Sequence, residues 1–288
     1  MLRHRLIFGS LMILVFVGLC VVDGWFDGSI STSLENKPIQ GSILCILIAL
    51  IAIPAQLELA SLIEMTKAKA FRSILIAGSI LLTTSWYWRQ FFPSNFLEFH
   101  LFYLLCVSVL SLFGILLYQA KRFGTKGVIG NCSVNFFAIF YLGFLSSFIP
   151  AIRIEFGLWE ILMVVFVVKA ADIGAYTVGT LFGRHKFSPG ISPGKTWEGM
   201  AGAVAGAVIV AVGFAAGFSI MNRSMAVVFG ICFAFIGQLG DLIESMIKRD
   251  AEQKDSSSIV PGFGGILDVI DSPLAAAPFG YLFFVLSH

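Results

Sequence analysis

Charged side chains are scarce in this chain. Its 17 acidic and 19 basic residues make up 12% of 288 positions, roughly half the share that a soluble domain carries, which excludes a water-covered globular surface. Cysteine is sparse as well. Cys20, Cys45, Cys106, Cys132 and Cys232 lie in or beside apolar runs, and no two form a C-x-x-C pair, so a disulfide framework or zinc site is not expected and small buried apolar side chains are. Internal repeats, low-complexity tracts and a soluble domain are all missing. A Walker A loop is missing too: Gly194-Lys195-Thr196 would need a glycine at the position of Pro189 and a preceding strand. The lone His185 reads as a surface residue.

What the chain has in abundance is apolar surface, with 58% hydrophobic residues and a mean hydropathy of +0.91. Apolar stretches of about 20 residues fall near 5–22, 40–61, 73–89, 97–118, 132–151, 157–181, 199–218, 224–244 and 266–286. Open strand edges cannot face lipid, so these nine spans are expected to be helices of an all-α, polytopic integral membrane protein. The first span follows Arg3, His4 and Arg5 without an A-x-A-like cleavage site, and Leu19 spoils a lipobox at Cys20, so a retained anchor is expected. Fourteen of the nineteen Lys and Arg residues then fall on one set of alternate loops. The positive-inside rule predicts a cytoplasmic N-terminus, an outer C-terminus and residence in the inner membrane. Two parts are expected: residues 1–156 with five ordinary spans, and residues 157–288 with four spans, two long cytoplasmic loops and the chemistry.

Charges at membrane depth cost about 2.5–3.5 kcal/mol each on insertion scales, and each therefore calls for a partner, a wet cavity or a metal. Lys169, Asp172 and Tyr176 share one face of the sixth span, where Lys169 and Asp172 could also satisfy each other as an ion pair. Asp241, Glu244, Ser245 and Lys248 form a stripe on the eighth span, and Asp268 and Asp271 stand one turn apart on the ninth. If Asp241, Asp268 and Asp271 converge, they repel unless a cation lies between them, and an oxygen-only set suits Mg²⁺. Whether a monovalent cation joins it is left open, and so is the alternative of helix-end charges wetted by solvent. The loop after Lys248 carries Arg249 and Lys254, then Gly264 and Gly265; it reads equally as a phosphate cradle or as a plain basic loop. Ser192, Lys195 and Thr196, stiffened by Pro189 and Pro193, open into an apolar helix whose N-terminus favours an anion.

These blocks carry a resemblance. Ser245-Met246-Ile247-Lys248-Arg249, Lys254-Asp255, Pro261-Gly262, Gly264-Gly265, Asp268 and Asp271-Ser272 resemble the signature of the phosphatidate cytidylyltransferases. Asp172-x-x-Ala175-Tyr176-x-x-Gly179, Gly183, Ser192-Pro193-x-Lys195-Thr196-Trp197-Glu198-Gly199 and Gly240-Asp241 are similar to that family's other blocks. The likeness covers about residues 165–275, with departures at Phe263 and Val269, where the family usually has histidine and arginine. It implies formation of CDP-diacylglycerol and pyrophosphate from CTP and phosphatidate in the lipid bilayer, with Mg²⁺. Asp241, Asp268 and Asp271 would be metal ligands and, with Lys195 and Lys248, the catalytic set. Ser192, Thr196, Arg249, Lys254, Asp172, Tyr176, Ser245, Gly264 and Gly265 would bind substrate. A homodimer is an open expectation, and no nucleic-acid partner is expected. Two other readings are a CTP-dependent polyprenol or phytol kinase, and a transporter with intramembrane charges.

Overall fold

The computed structural model describes residues 2–30, 39–92, 96–260, 262 and 264–287. Among them every regular element is helical: α1 (Leu2–Phe26), α2 (Ser42–Met65), α3 (Arg72–Thr83), α4 (Ser85–Arg89), α5 (Phe96–Phe123), α6 (Val128–Ile139), a π-helical turn (Phe140–Phe144), α7 (Leu145–Glu155), α8 (Leu158–Phe182), α9 (Trp197–Phe218), α10 (Arg223–Asp250) and α11 (Ile266–Ser287). Eight passages among the described residues are long and apolar enough to cross a membrane, with α6, the π turn and α7 forming one of them. The chain is an all-α polytopic membrane protein.

The stretch expected as a single third span is broken into α3 and α4 at Thr84. Hydroxyls there compete with the helix ladder: the Thr84 Oγ1 donates to the Ile80 carbonyl at 2.9 Å and accepts from the Trp88 indole at 3.1 Å. A count of nine spans rests on whether this broken piece crosses.

Without water to drive helices together, close backbone approach does so. The tightest pair is α8 against α9, where small residues face each other. A Cβ on Gly202 would meet the Gly174 carbonyl oxygen at 2.5 Å, and one on Gly206 would meet the Ala170 carbonyl oxygen at 2.7 Å. Gly240 does the same for α10 against α11, its Cβ position being 2.9 Å from the Asp271 carbonyl oxygen. That contact brings the next residue, Asp241, beside Asp271.

Two apolar cores fill the bundle. One joins α8 to α11 with Cys20, Leu44, Ile48, Ile149 and Ile152. The other joins α2, α3, α5 and α6 with Ala251, Leu267 and Leu274. Each core draws on both sides of residue 156. At the bundle end away from the long loops, the fully buried Arg153 bonds Asp23 at 3.0 Å and Asp27 at 2.6 Å, fastening α7 to α1. The same carboxylates accept the Ile43 and Gly41 amides, which fixes the start of α2.

A Gly202→Val substitution should lower the thermal midpoint of the detergent-solubilised protein, since overpacking costs about 1–3 kcal/mol. Gly213→Ala, where a Cβ meets nothing within 4 Å, should leave that midpoint unchanged.

Candidate functional site

The site is assembled at one end of the bundle from α8, α10 and α11, the loop between α8 and α9, the loop between α10 and α11, and one residue of α2. On α10 the 3.6-residue period places Asp241, Glu244, Ser245 and Lys248 on a single stripe. Asp241 lies nine residues before the end of α10, hence roughly 13 Å below it at 1.5 Å per residue.

Ligand oxygens of Asp241, Glu244 and Asp271 lie within 4.8 Å of one another, forming the group among the described residues that could hold a metal ion. Glu244 and Asp271 are buried, at 0% and 6% exposure. Both Glu244 oxygens lack a well-directed hydrogen bond, and the near cation is the Lys248 ammonium at 2.5 Å. Asp268, expected in this group beside Asp241 and Asp271, lies at its edge next to Glu244, and the two share the Lys248 ammonium, which also sits 2.5 Å from Asp268. The reason is local: Asp268 is the third residue of α11, and its Oδ2 turns back to accept the Gly265 amide at 2.7 Å, in the manner of a capping box. It also accepts the Ser256 amide at 3.0 Å and the Ser256 hydroxyl at 2.9 Å.

The α8–α9 loop folds over the stripe. His185 and Trp197 are joined by a 2.9 Å backbone bond, and Phe187 and Lys195 by another of 3.3 Å. Glu198 accepts the Arg184 and His185 amides at 3.1 and 3.2 Å. This two-sided turn aims Lys195 inward, where its ammonium contacts Asp241 at 2.8 Å and the Gln238 side-chain oxygen at 2.9 Å. Gln238 in turn donates to Asp172 at 3.2 Å, and Lys169 reaches Asp172 at 3.3 Å. Ser272 donates to Asp172 at 3.4 Å while its amide donates to Asp271 at 2.6 Å.

The other expected residues divide by location. Ser245 donates to Asp241 at 3.3 Å, inside the cluster. Thr196 caps α9, accepting the Gly199 amide at 3.1 Å. Ser192 closes the loop turn through its backbone, accepting the Lys195 amide at 3.1 Å. Tyr176 is 60% exposed beside Ile173 on the outer face of α8. Arg249 and Lys254 are exposed at the mouth, where the Arg249 guanidinium bonds the Ile191 and Gln253 carbonyls. The amides of Gly264 and Gly265 are engaged within the protein, by Val260 and Asp268. Val269 is half-buried on the first turn of α11, and Pro261 and Phe263 lie outside the described residues.

Sequence reasoning missed Glu58 and Gln238 and gave Glu244 no role. Glu58 is 4% exposed and comes from α2, a hundred residues ahead of the start of α8. The available signal was a carboxylate within a 24-residue apolar helix, six residues before Glu64 at its end. In all, Glu58, Asp172, Asp241, Glu244, Asp268 and Asp271 stand against Lys169, Lys195 and Lys248. Six carboxyl groups therefore face three ammonium groups, an excess of acidic over basic side chains. With an all-oxygen donor set, and with Glu244 oxygens that accept no well-directed hydrogen bond, the arrangement fits a hard divalent cation.

Geometry and burial thus define a site inside the helix bundle in which a carboxylate cluster lies among three lysines. A model of the Cytidylyltransferase family matches residues 3–287, and the chain belongs to that family. It is similar to the phosphatidate cytidylyltransferase of Bacillus subtilis, at 31% identity over 231 residues, 78% of this chain and 85% of that protein. It is similar also to the phosphatidate cytidylyltransferases of Haemophilus influenzae, 42% identical over 45% of this chain and 48% of that protein, and Pseudomonas aeruginosa, 50% identical over 41% and 44%. Against those last two the chain spans about half of the relative's length or slightly less.

Removing the ammonium that Glu244 and Asp268 share should destabilise strongly, because breaking a buried pair costs about 3–5 kcal/mol. Lys248→Met should therefore lower the thermal midpoint, and adding Glu244→Gln should recover part of the loss, with denaturation of both variants followed by intrinsic fluorescence.

Proposed function

We propose that this protein makes CDP-diacylglycerol and pyrophosphate from phosphatidate and CTP. The carrying observation is the Asp241, Glu244 and Asp271 cluster set between Lys195 and Lys248, in a chain of this family. A phosphate oxygen of phosphatidate attacks the α-phosphorus of CTP. The bond from that phosphorus to the α–β bridging oxygen breaks, and pyrophosphate leaves with the electron pair.

For such a transfer the protein need only position the groups and offset their charge. Lys195 and Lys248 would face the nucleotide phosphates, Lys195 exchanging its contact with Asp241 for them. Asp268 holds the Lys248 ammonium, Gln238 holds that of Lys195, and the cation at the mouth, Arg249, adds long-range attraction for CTP together with Lys254. Asp241, Glu244 and Asp271 would hold Mg²⁺, which when bound supplies charge neutralisation on phosphate oxygens. Asp172, tied to Gln238 and Ser272, keeps the α8 wall in register with the cluster. The exposed apolar side of α8, with Ile173, Tyr176, Leu181 and Phe182, gives diacyl chains a route from the bilayer while the headgroup enters beside Asp172.

Orientation follows from charge. The site end collects the bases of the loops after α2, α5, α8 and α10, and by the positive-inside rule that end faces the cytoplasm, where CTP is available, with the inner membrane as its location and the α3–α4 piece as the ninth crossing. We propose also that two copies pair, α5 offering a broad face with Leu105, Phe102, Leu110 and Phe113 exposed; crosslinking in native membranes reads this.

Purified protein in detergent with CTP, Mg²⁺ and phosphatidate should release pyrophosphate in step with CDP-diacylglycerol, and Asp241→Asn or Asp271→Asn should lose it by two or more orders of magnitude, about the weight of one transition-state electrostatic contact. CDP instead of pyrophosphate would mean a kinase, and neither product a transporter. Separately, cysteines placed at Gly190 and Ser258 should be labelled from the cytoplasm only, and those at Ser29 and Ser224 from outside only. The opposite pattern at either site loop would defeat the orientation.

A further inference from the structure

The carboxylate of Glu58 is held by four donors, two on each oxygen. Oε1 accepts the Ser257 hydroxyl at 2.7 Å and the Ile266 amide at 3.0 Å. Oε2 accepts the Ser256 hydroxyl at 3.0 Å and the Leu267 amide at 2.9 Å. Ile266 and Leu267 open α11, so Glu58 satisfies two of the amides that a helix leaves without intrahelical partners at its start. The preceding residue is Gly265, which has no side chain to do so. A cap reached from another helix replaces a local one.

The glycine is required for that reach. A Cβ at Gly265 would stand 2.7 Å from the Glu58 carboxyl carbon and closer still to its Oε2 and to the Ser256 oxygen. Ser256 is the joint between two carboxylates: its single hydroxyl lies 3.0 Å from Glu58 and 2.9 Å from Asp268. One hydroxyl proton serves one acceptor at a time, so the positions of Glu58 and Asp268 are coupled. Asp268 then fixes the Lys248 ammonium, 2.5 Å away, against Glu244.

We propose that Glu58 is a positioning residue of the site. It holds the start of α11 and the Ser256–Ser257 turn, and through Asp268 it sets where the Lys248 ammonium stands against the carboxylate cluster. It touches no substrate, and α2 thereby enters the catalytic apparatus from outside residues 157–288. The consequence for turnover rests on the cytidylyl-transfer reading; the clamp itself does not.

The test is Glu58→Gln in the full-length protein, with two readouts. In the absence of ligands, trypsin should cut after Lys254 faster than in the parent, while cutting after Lys126, in the α5–α6 turn, which makes no hydrogen bond to Glu58, is unchanged. With CTP, Mg²⁺ and phosphatidate, kcat should fall about 10- to 100-fold, the scale of an ångström-sized misplacement, while KM for CTP stays within about two-fold, as when a substitution removes an interaction made only in the transition state. If Glu58→Gln does not accumulate, the Ser256→Ala, Ser257→Ala double variant loosens the same clamp and should move both readouts in the same direction. Parental cutting after Lys254 overturns the proposal, as does parental kcat, or a rise in KM alone. A parent that releases no pyrophosphate speaks against cytidylyl transfer; cleavage then decides, faster cutting supporting the clamp and parental cutting refuting it.

Discussion

Ionised groups cannot stay unpaired inside a helical bundle surrounded by lipid, and the rest of this structure is arranged around that constraint. At the end away from the long loops most of the demand is met internally, with Arg153 divided between Asp23 and Asp27 and Arg89 paired with Glu155. At the other end it is not. Six carboxylates share three lysines, and Lys248 serves both Glu244 and Asp268. A bundle can relieve such an imbalance by keeping a proton on a buried carboxyl group or by taking up a cation, and an oxygen-lined, partly open cluster is where a divalent cation carrying phosphate would enter.

Packing and chemistry are linked through the backbone. Gly240 lets α10 lie against the Asp271 carbonyl, and the same approach sets Asp241 beside Asp271. Glycine against glycine between α8 and α9 brings the α8–α9 loop back over α10, which allows Lys195 to reach Gln238 and Asp241. A side chain added at these contacts would separate helices and ligands together, so stability and activity should fall in parallel there. Glu58 differs, because it acts on the first turn of a single helix.

Much of this was legible in the sequence. Runs of about twenty apolar residues marked the helices, and the 3.6-residue period placed Asp241 with Ser245 and Lys248, and Lys169 with Asp172, on shared faces. Spacing could not separate Asp268 from Asp271, both on one turn of α11. Which of the two joins Asp241 depends on where the helix begins, since a carboxylate at its third position is drawn to the capping amide. Nor could it foresee Glu58, whose partners lie some two hundred residues away, or that the Gly264 and Gly265 amides bond within the chain while their missing side chains make room for carboxylates. The break at Thr84 escaped notice because its cause is a hydroxyl bonding its own helix, which hydropathy does not register.

Asp241, Glu244 and Asp271 are the proposed holders of a divalent cation. The most direct test of that assignment is anomalous diffraction from crystals of the full-length protein grown with Mn²⁺ in place of Mg²⁺. A peak is expected among the three carboxylates, roughly 2.2 Å from their nearest oxygens, and it should disappear in Asp271→Asn. A protein without any such peak, or with its peak on the Asp268 side of Lys248 and unaffected by Asp271→Asn, would contradict the assignment.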